Sequence, residues 1–471
     1  MQNIKTFLDE DYTNYAVYRT YQRLPHILDS LGQTQRKILY VMEGTPSSKK
    51  VKTAEVYSYV YSQTQYLHGD ASVYTVVENL ARSCSNNINL LTEEGSFGYR
   101  TDRSAASPRY TSTRFSKIGR LIFNSDDKPI LASQEFEGKT IEPEFLLPII
   151  PVSLVNGYSA IAVGFASKIL PRNPLHVIDA VIDALTFKKR KTTTDKKWDD
   201  YKIQQLVPDY PFYNGQVIPN PDPEAKSSWI QKGILNKTSK NTVTITDLPP
   251  EATRESYLKK IKRYIDKGIV KSYTEKCGKN TFIFKLKLSP EYGKNTEEEL
   301  YLKLGLVDQT SENFTFINPK GLGNISTIHR FDTAEEYLKV FIEERQKFYE
   351  ARKEYQLNKL VSEISVLTER VRFISEVNSN HIIITKRKKI DLEKELALKK
   401  YDKIENSFDH LLGMKMYSLT EENIKKYQDS ILLKENEYTR LLKTPAEDLH
   451  IDELKTLRTD IASEMKSKGL E

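Results

Sequence analysis

Cysteine is nearly absent from this chain. Its 471 residues hold only Cys84 and Cys277. They lie too far apart for metal-ligand spacing and are too few for a disulfide framework, which fits a reducing compartment. The seven His are scattered and form no His-x-x-x-His site. No run reaches the ~18 apolar residues of a membrane span. Met1 to Asp11 is acidic and has no apolar centre, so it does not read as a signal or transit peptide. There is no Gly-rich phosphate loop and no ATPase signature. Glycine and proline are both missing from Asn324 to Leu412, a stretch too long for one ordinary globular helix. What remains is a soluble, highly charged composition, 38% hydrophobic and 29% charged, with net charge +7. The length fits roughly two to four domains. The positive balance mildly favours a polyanionic partner, and the cysteine usage fits the cytoplasm.

The most informative segment is Gly95 to Ser116. A Gly-bracketed aromatic, Gly95-Ser96-Phe97-Gly98, is followed by Arg109-Tyr110 in a polar, basic loop. A tyrosine hydroxyl is a poor nucleophile at neutral pH, because its pKa is about 10. A neighbouring guanidinium helps a phenolate attack phosphorus by neutralising the non-bridging oxygens. That pattern suits reversible transesterification onto a nucleic-acid phosphate, giving a covalent phosphotyrosine. The chain has 28 tyrosines, and most must be structural, so the pair by itself carries little weight.

Its context carries more. From Phe97 to Tyr110 the spacing resembles the active-site loop of the type IIA DNA topoisomerase breakage-reunion subunit, the gyrase A-like family. There Gly-Asn-Phe-Gly precedes Ala-Arg-Tyr-Thr or Met-Arg-Tyr-Thr. Further blocks resemble that family in the same order. Leu24-Pro25 with Asp29 to Lys37 and His68-Gly69-Asp70 with Val73-Tyr74 lie upstream. Leu154 to Gly157, Ile161 to Gly164 and Ile169 to Pro171 lie downstream. Leu411 to Met416 with Leu419-Thr420 lies near the end. The departures are local. Gly32 and Gln33 stand where the family has Lys and Pro, Gln22 stands at an Arg position, and Tyr66 stands near the first His of His-Pro-His. No basic wrapping domain follows, a pattern that resembles the medium subunits of T-even-type phage enzymes.

The expected fold is α+β and multidomain. Residues 1–125 read as helices with polar connections, and Gln35–Met42 and Thr53–Ser62 resemble a helix-turn-helix within a winged-helix domain. Asp70 reads as the N-cap of a helix over 71–81, whose first amides would face a phosphate. Residues 126–330 read as an α/β tower domain, with a strand over 241–247 and a basic helix over 255–267. The run Lys188 to Lys197 reads as a solvated loop. Residues 331–471 read as a coiled coil and dimerisation region. Leu357, Leu360, Ile364, Leu367, Val371 and Ile374 keep a 3-4-3-4-3 spacing, which is a coiled-coil seam. A second run, 388–405, is expected to return antiparallel, with a globular exit-gate tip around Leu411–Leu419.

The resemblance implies a mechanism. One Tyr110 per subunit of a homodimer attacks opposite strands of duplex DNA, leaving 5′-phosphotyrosyl ends, and Arg109 stabilises the phosphorane. A second duplex then passes through the break. His68, Gly69, Arg36, Lys37, Arg114 and Lys117 are the candidate DNA contacts. Ile169 is the candidate intercalating residue, against a plain reading of core packing. No block resembles the Glu plus Asp-x-Asp metal cluster that cleavage in this family uses, so the resemblance implies Mg²⁺ and ATP on a separate ATPase/TOPRIM subunit, in an A2B2-type assembly. Two competing readings remain, a non-catalytic DNA-bending dimer and a coiled-coil scaffold.

Overall fold

Side-chain periodicity sets the first elements. The computed structural model describes residues 4–190, 198–222, 224–319, 327–404 and 406–469. α1 (Ile4–Thr6) runs through a π-helical stretch, Phe7–Tyr12, into α2 (Thr13–Arg23). Leu24 ends α2 because Pro25 disfavours helical geometry in the residue before it. α3 (Gln33–Glu43) buries Ile38, Leu39, Val41 and Met42. Its start is closed by Gln35, whose side chain accepts the Gly32 N–H at 3.1 Å. β1 (Val51–Lys52) leads into α4 (Thr53–Thr64), and α5 (Asp70–Ala81) follows. β2 (Ser112–Thr113) pairs antiparallel with β1, Val51 opposite Thr113. α6 (Lys117–Ile122) is capped by Ser116, whose hydroxyl accepts the Gly119 N–H.

Next come the hairpin β3 (Gln134–Phe136) to β4 (Lys139–Ile141), α7 (Val152–Asn156), and the hairpin β5 (Tyr158–Ile161) to β6 (Ala166–Ile169). α8 (Pro174–Arg190) begins on a proline, which the first helical position tolerates. It ends on Lys188, Lys189 and Arg190. These three bases belong to the last helical turn, where they complement the helix dipole, rather than to the expected loop. Residues 191–197 of that run lie outside the described residues.

Among the described residues, the strands between 216 and 331 form three sheets. β7 (Gln216–Pro219), β8 (Ser228–Lys232) and β13 (Val307–Ser311) make one, in the order β13-β8-β7. β9 (Ile234–Ser239), β10 (Thr242–Asp247), β11 (Val270–Glu275) and β12 (Phe284–Leu288) make the second, in the order β11-β12-β10-β9. Alternation is clean here: Phe284, Leu286 and Leu288 are buried while Lys285 and Lys287 face solvent, as the two-residue period of a strand requires. The inward face meets α9 (Arg254–Asp266) and α10 (Glu297–Lys303) through Tyr257, Ile261, Leu300 and Leu304. β14 (Phe314–Ile317) and β15 (Ile328–Phe331) form the third sheet.

α11 (Ala334–Asn378) is one 45-residue helix. By packing, the chain divides into Met1–Lys347 with His450–Glu471, and Phe348–Leu449. The expected boundary at 331 therefore shifts. The start of α11 packs with the first unit. So does most of α15 (Ala446–Lys468), where Arg458 pairs with Asp179 at 2.7 Å.

Within residues 348–449, the expected return helix over 388–405 is only α12 (Lys389–Leu398). The long antiparallel partner of α11 is α14 (Glu421–Lys443). The Lys353 ammonium donates to the carbonyls of Leu442 and Thr444, and Lys434 pairs with Glu363. α12 and α13 (Asp409–Leu412) instead close a small core of Phe373, Ile382, Leu396, Tyr401, Phe408 and Leu411. The missing signal was length: Gly and Pro are absent there, but α12 ends without either. Among the described residues no helix is long and apolar enough to cross a membrane.

Candidate functional site

The turn that carries Tyr110 is held by the start of α4. The Tyr110 N–H donates to Ser107 O at 2.8 Å, closing the turn. Thr53 and Ala54, the first residues of α4, donate their N–H groups to Thr111 O and Pro108 O, on either side of Tyr110. The Thr111 hydroxyl donates to the Thr53 hydroxyl at 2.8 Å. The glycine pair explains itself here. Gly95, at φ +105°, passes under the turn, and a Cβ there would lie 3.3 Å from Tyr110 O. Gly98, at φ +96°, lies so close to Arg103 that a Cβ would meet its carbonyl carbon at 2.7 Å. Phe97 between them is fully buried and anchors the loop.

Tyr110 itself is 72% exposed. Arg109 is exposed beside it. Among the described residues neither side chain has a hydrogen-bond or ion-pair partner. The chain therefore presents a bare phenol and a bare guanidinium on a fixed turn. One face of this neighbourhood is an ion-pair cluster: Lys50 meets Glu94 at 2.8 Å and Arg114 meets the same carboxylate at 3.3 Å. The Lys50 hydrogen bond holds the Glu94 carboxyl below the usual carboxylate range, with Arg114 adding to it. Arg114 is thus half-committed, with the rest of its guanidinium open. Lys117 reaches Asp460 at 3.0 Å but stays exposed.

His68 and Gly69 lie at the start of α5. The His68 Nε2 is 2.7 Å from Gln22 Nε2 and 3.2 Å from the Tyr18 hydroxyl, both on α2, and its ring meets Tyr66 edge-on. Gln22, a departure from the expected Arg, therefore has a local role. The helix cap is Gly69, not Asp70. Asp70 is the first helical residue, and its carboxylate accepts the Ala71 N–H at 2.9 Å. The acid stabilises the positive helix end.

Three expected DNA contacts are misplaced. Arg36 is buried against Asp29, with hydrogen bonds of 2.5 and 3.1 Å and a third to Leu31 O. Burial works most strongly against its charge, but Asp29, with Glu142 and Tyr158 adding to it, raises the arginine pKa on balance. Lys37 is buried between Glu142 at 2.6 Å and Thr64 O at 2.7 Å. Neither cation is free to meet a phosphate; both tie α3 to its surroundings. Ile169 is 3% exposed, at the base of the β5–β6 hairpin opposite Tyr158. The same hairpin puts Ile161 at its far end, 82% exposed. Sequence reading missed Ile161 as a site residue because both isoleucines lie in the resembling block. Hairpin register alone tells base from tip.

The Gly32 departure also has a cause. A Cβ at Gly32 would collide with the Tyr158 hydroxyl, which donates to Arg23 O at 2.6 Å. A cleft of about 730 Å³ opens beside α5 and this hairpin, with Arg23, Arg103 and Lys168 on its walls. Among the described residues no three His, Cys, Asp or Glu side chains converge where a metal ion could sit.

Comparison with known proteins matches residues 23–456 to the family model of the A subunit of DNA gyrase/topoisomerase IV. The mitochondrial DNA topoisomerase 2 of Dictyostelium discoideum is 27% identical over 467 residues, covering 96% of this chain and 35% of that protein. The DNA topoisomerase medium subunit of Enterobacteria phage T4 is 28% identical over 448 residues, covering 93% of this chain and 95% of that protein. The crystal structure of the Plasmodium falciparum topoisomerase II DNA-binding, cleavage and re-ligation domain superposes with a TM-score of 0.85 at 28% identity. It covers 99% of this chain and 66% of that one. The chain spans about a third of the length of its topoisomerase 2 relatives. A match over this span, around a fixed turn bearing Arg109 and Tyr110, shows that the chain belongs to the family of DNA gyrase/topoisomerase IV A subunits.

Proposed function

We propose that this chain is the DNA cleavage and religation subunit of an ATP-dependent type IIA topoisomerase. The observation that carries the reading is Tyr110, exposed on a turn that α4 holds at both ends. Its phenolic oxygen attacks a backbone phosphorus and the 3′-oxygen leaves, giving a 5′-phosphotyrosyl bond. The phenolic proton passes to a base outside this chain or to water, since no described residue accepts it. Arg109 neutralises charge on the phosphate oxygens. The reverse attack by the 3′-hydroxyl reseals the strand with no external energy, because one ester replaces another.

Exposure of Ile161 supports its assignment, in place of Ile169, as the residue that wedges between base steps and bends the cleaved duplex. His68, steadied by Gln22 and Tyr18, and the amides at Gly69 serve as phosphate contacts, joined by Arg114 and Lys117. We assign the elements around α3 to α5 and the β1–β2 pair to a winged-helix domain, and the sheets over 216–331 to a tower. The α11–α14 pair with its small core is assigned to a coiled coil and exit-gate tip. In this reading the chain is a nucleoid-associated homodimer of the cytoplasm, the host's if the chain is phage-encoded, and works with a separate ATPase/TOPRIM subunit. That partner supplies Mg²⁺, which adds positive charge at the scissile phosphate, and ATP. The assembly relaxes and decatenates DNA.

The test is denaturant trapping with the partner present. The native chain should remain covalently attached to cleaved DNA, and Tyr110→Phe should bind DNA but leave no attached protein. Attachment by the Phe variant would refute the assignment. Absence of trapping by the native chain would favour a DNA-bending dimer.

A further inference from the structure

The loop that ends in Tyr110 is attached at two places. Its end is fixed to α4. Its middle reaches into the module built from β9 to β12, α9 and α10. Arg100 is only 2% exposed. Its guanidinium donates to Leu248 O at 2.8 Å, Pro249 O at 3.2 Å and Ala252 O at 2.7 Å, all on the connection between β10 and α9. Asp247 lies 3.6 Å away and Phe282 lies under the guanidinium at 4.9 Å. The Arg100 N–H donates to Asn280 Oδ1 at 3.0 Å. Thr101 adds its N–H and hydroxyl to Lys279 O and its hydroxyl to Gly278 O, while its carbonyl accepts the Arg254 N–H.

Such a set of partners reads chain geometry, because each bond holds only while that connection keeps its shape. The segment between Arg100 and Tyr110 is also stiff. Tyr99 and Asp102 exchange two backbone hydrogen bonds, Gly98 lies against Arg103, and the Ala106 N–H donates to Ser96 O at 2.9 Å. A displacement at Arg100 is therefore passed on to the turn instead of being absorbed.

We propose that Arg100 is a positioning residue for the cleavage step, setting where Tyr110 stands by locking its loop to the β10–α9 connection. The proposal rests on the reading of Tyr110 as nucleophile. Reaching the scissile phosphorus needs near-ångström placement, and a displacement of about 1 Å costs roughly 100-fold in rate. Arg103 adds a weaker, more exposed link to Pro250 O and Glu251.

The experiment uses the full chain together with its partner subunit. It measures the dissociation constant for a duplex, the single-turnover rate of covalent attachment, and the melting temperature. Arg100→Met, which keeps length and loses every donor, should lower the attachment rate roughly 10- to 100-fold while leaving duplex binding within about twofold. Arg100→Lys should recover part of the rate. The double variant Thr101→Val with Asn280→Ala cuts the same attachment without removing a buried charge, and should show a smaller loss of rate. It decides the matter alone if Arg100→Met does not fold. A rate equal to native in that double variant, or losses of rate that merely parallel losses of binding and melting temperature, would overturn the proposal. Tyr110→Phe is run alongside. Attachment by that variant overturns the nucleophile reading, whereas a dead Tyr110→Phe with native rates in the loop variants overturns only the role of Arg100.

Discussion

At the residue scale, two isoleucines on one hairpin have opposite fates. Ile169 is core and Ile161 is bare. Truncating Ile169 to Ala removes buried methylenes and should cost about 2–5 kcal/mol of stability. Ile161→Ala should change stability by less than about 0.5 kcal/mol, yet reduce the bend of bound DNA, because the wedge is lost. Fluorescence-transfer distances across a labelled duplex, with melting curves of both variants, check this. An unchanged bend with Ile161→Ala would remove it from the site. Residue identity could not separate the two, since both are apolar and lie in one recognisable block. Tyr110 and Arg109 could be proposed from the sequence because the chemistry they suit depends on residue type and spacing, and both are exposed on the turn. Arg36 and Lys37 were misread for the opposite reason. A cation in a resembling block looks like a phosphate contact until Asp29 and the distant Glu142 are brought against it.

At the element scale, the family resemblance implies that α5 governs the response to quinolones. In bacterial relatives of this family the helix after His-Gly-Asp carries a Ser and, four residues on, an acid, which together hold a water-metal bridge to quinolones. Here Ala71 and Thr75 occupy those places. The Thr75 hydroxyl donates back to Ala71 O at 3.0 Å, and Ser72 is turned to the Tyr66 hydroxyl and Gly69 O. Neither offers a charge to hydrated Mg²⁺. Titration of ciprofloxacin in a cleavage assay should show weak trapping by the native enzyme and partial sensitisation by Ala71→Ser with Thr75→Asp. Potent trapping of the native enzyme would show that no bridge is needed.

The end of α11 makes a separate prediction. Glu376 accepts Lys399 at 2.7 Å and Arg372 at 2.9 Å, and the Lys399 hydrogen bond leads in lowering its pKa. A lowered carboxylate pKa stabilises the fold above the unfolded value of ~4.3, and that support is lost as pH falls through the folded value. Acid melting of the native chain should therefore be steeper below about pH 4.3 than that of Glu376→Gln. Parallel curves would show that this cluster contributes nothing. The helix period was readable in the sequence, but the pairing was not. Six seam residues on α11 say that a partner exists, and only contacts say that α14 supplies it.

At the scale of the molecule, the exposed cations and the proposed dependence on a partner subunit set the behaviour expected in solution. The isolated chain should be a dimer that binds duplex DNA with steep salt dependence, because phosphate contacts release counterions. It should hydrolyse no ATP and relax no DNA until the partner is added. Sedimentation and binding titrations at several salt concentrations check the first statement. Relaxation by the pure chain would sink the second.

The sequence by itself determined the family, pointed to Tyr110 and Arg109 as the pair on which the proposed cleavage chemistry rests, and marked a long helical segment. Those properties live in residue type and short-range spacing, which survive without knowledge of the fold. Only the tertiary structure decided which cations are free, which hairpin isoleucine is bare, which helix returns along α11, and that Arg100 ties the loop of Tyr110 to a distant turn. Each of these depends on contacts between residues far apart in the chain, such as Arg100 with Leu248 and Lys37 with Glu142. Local pattern carries no information about such partners until folding brings them together.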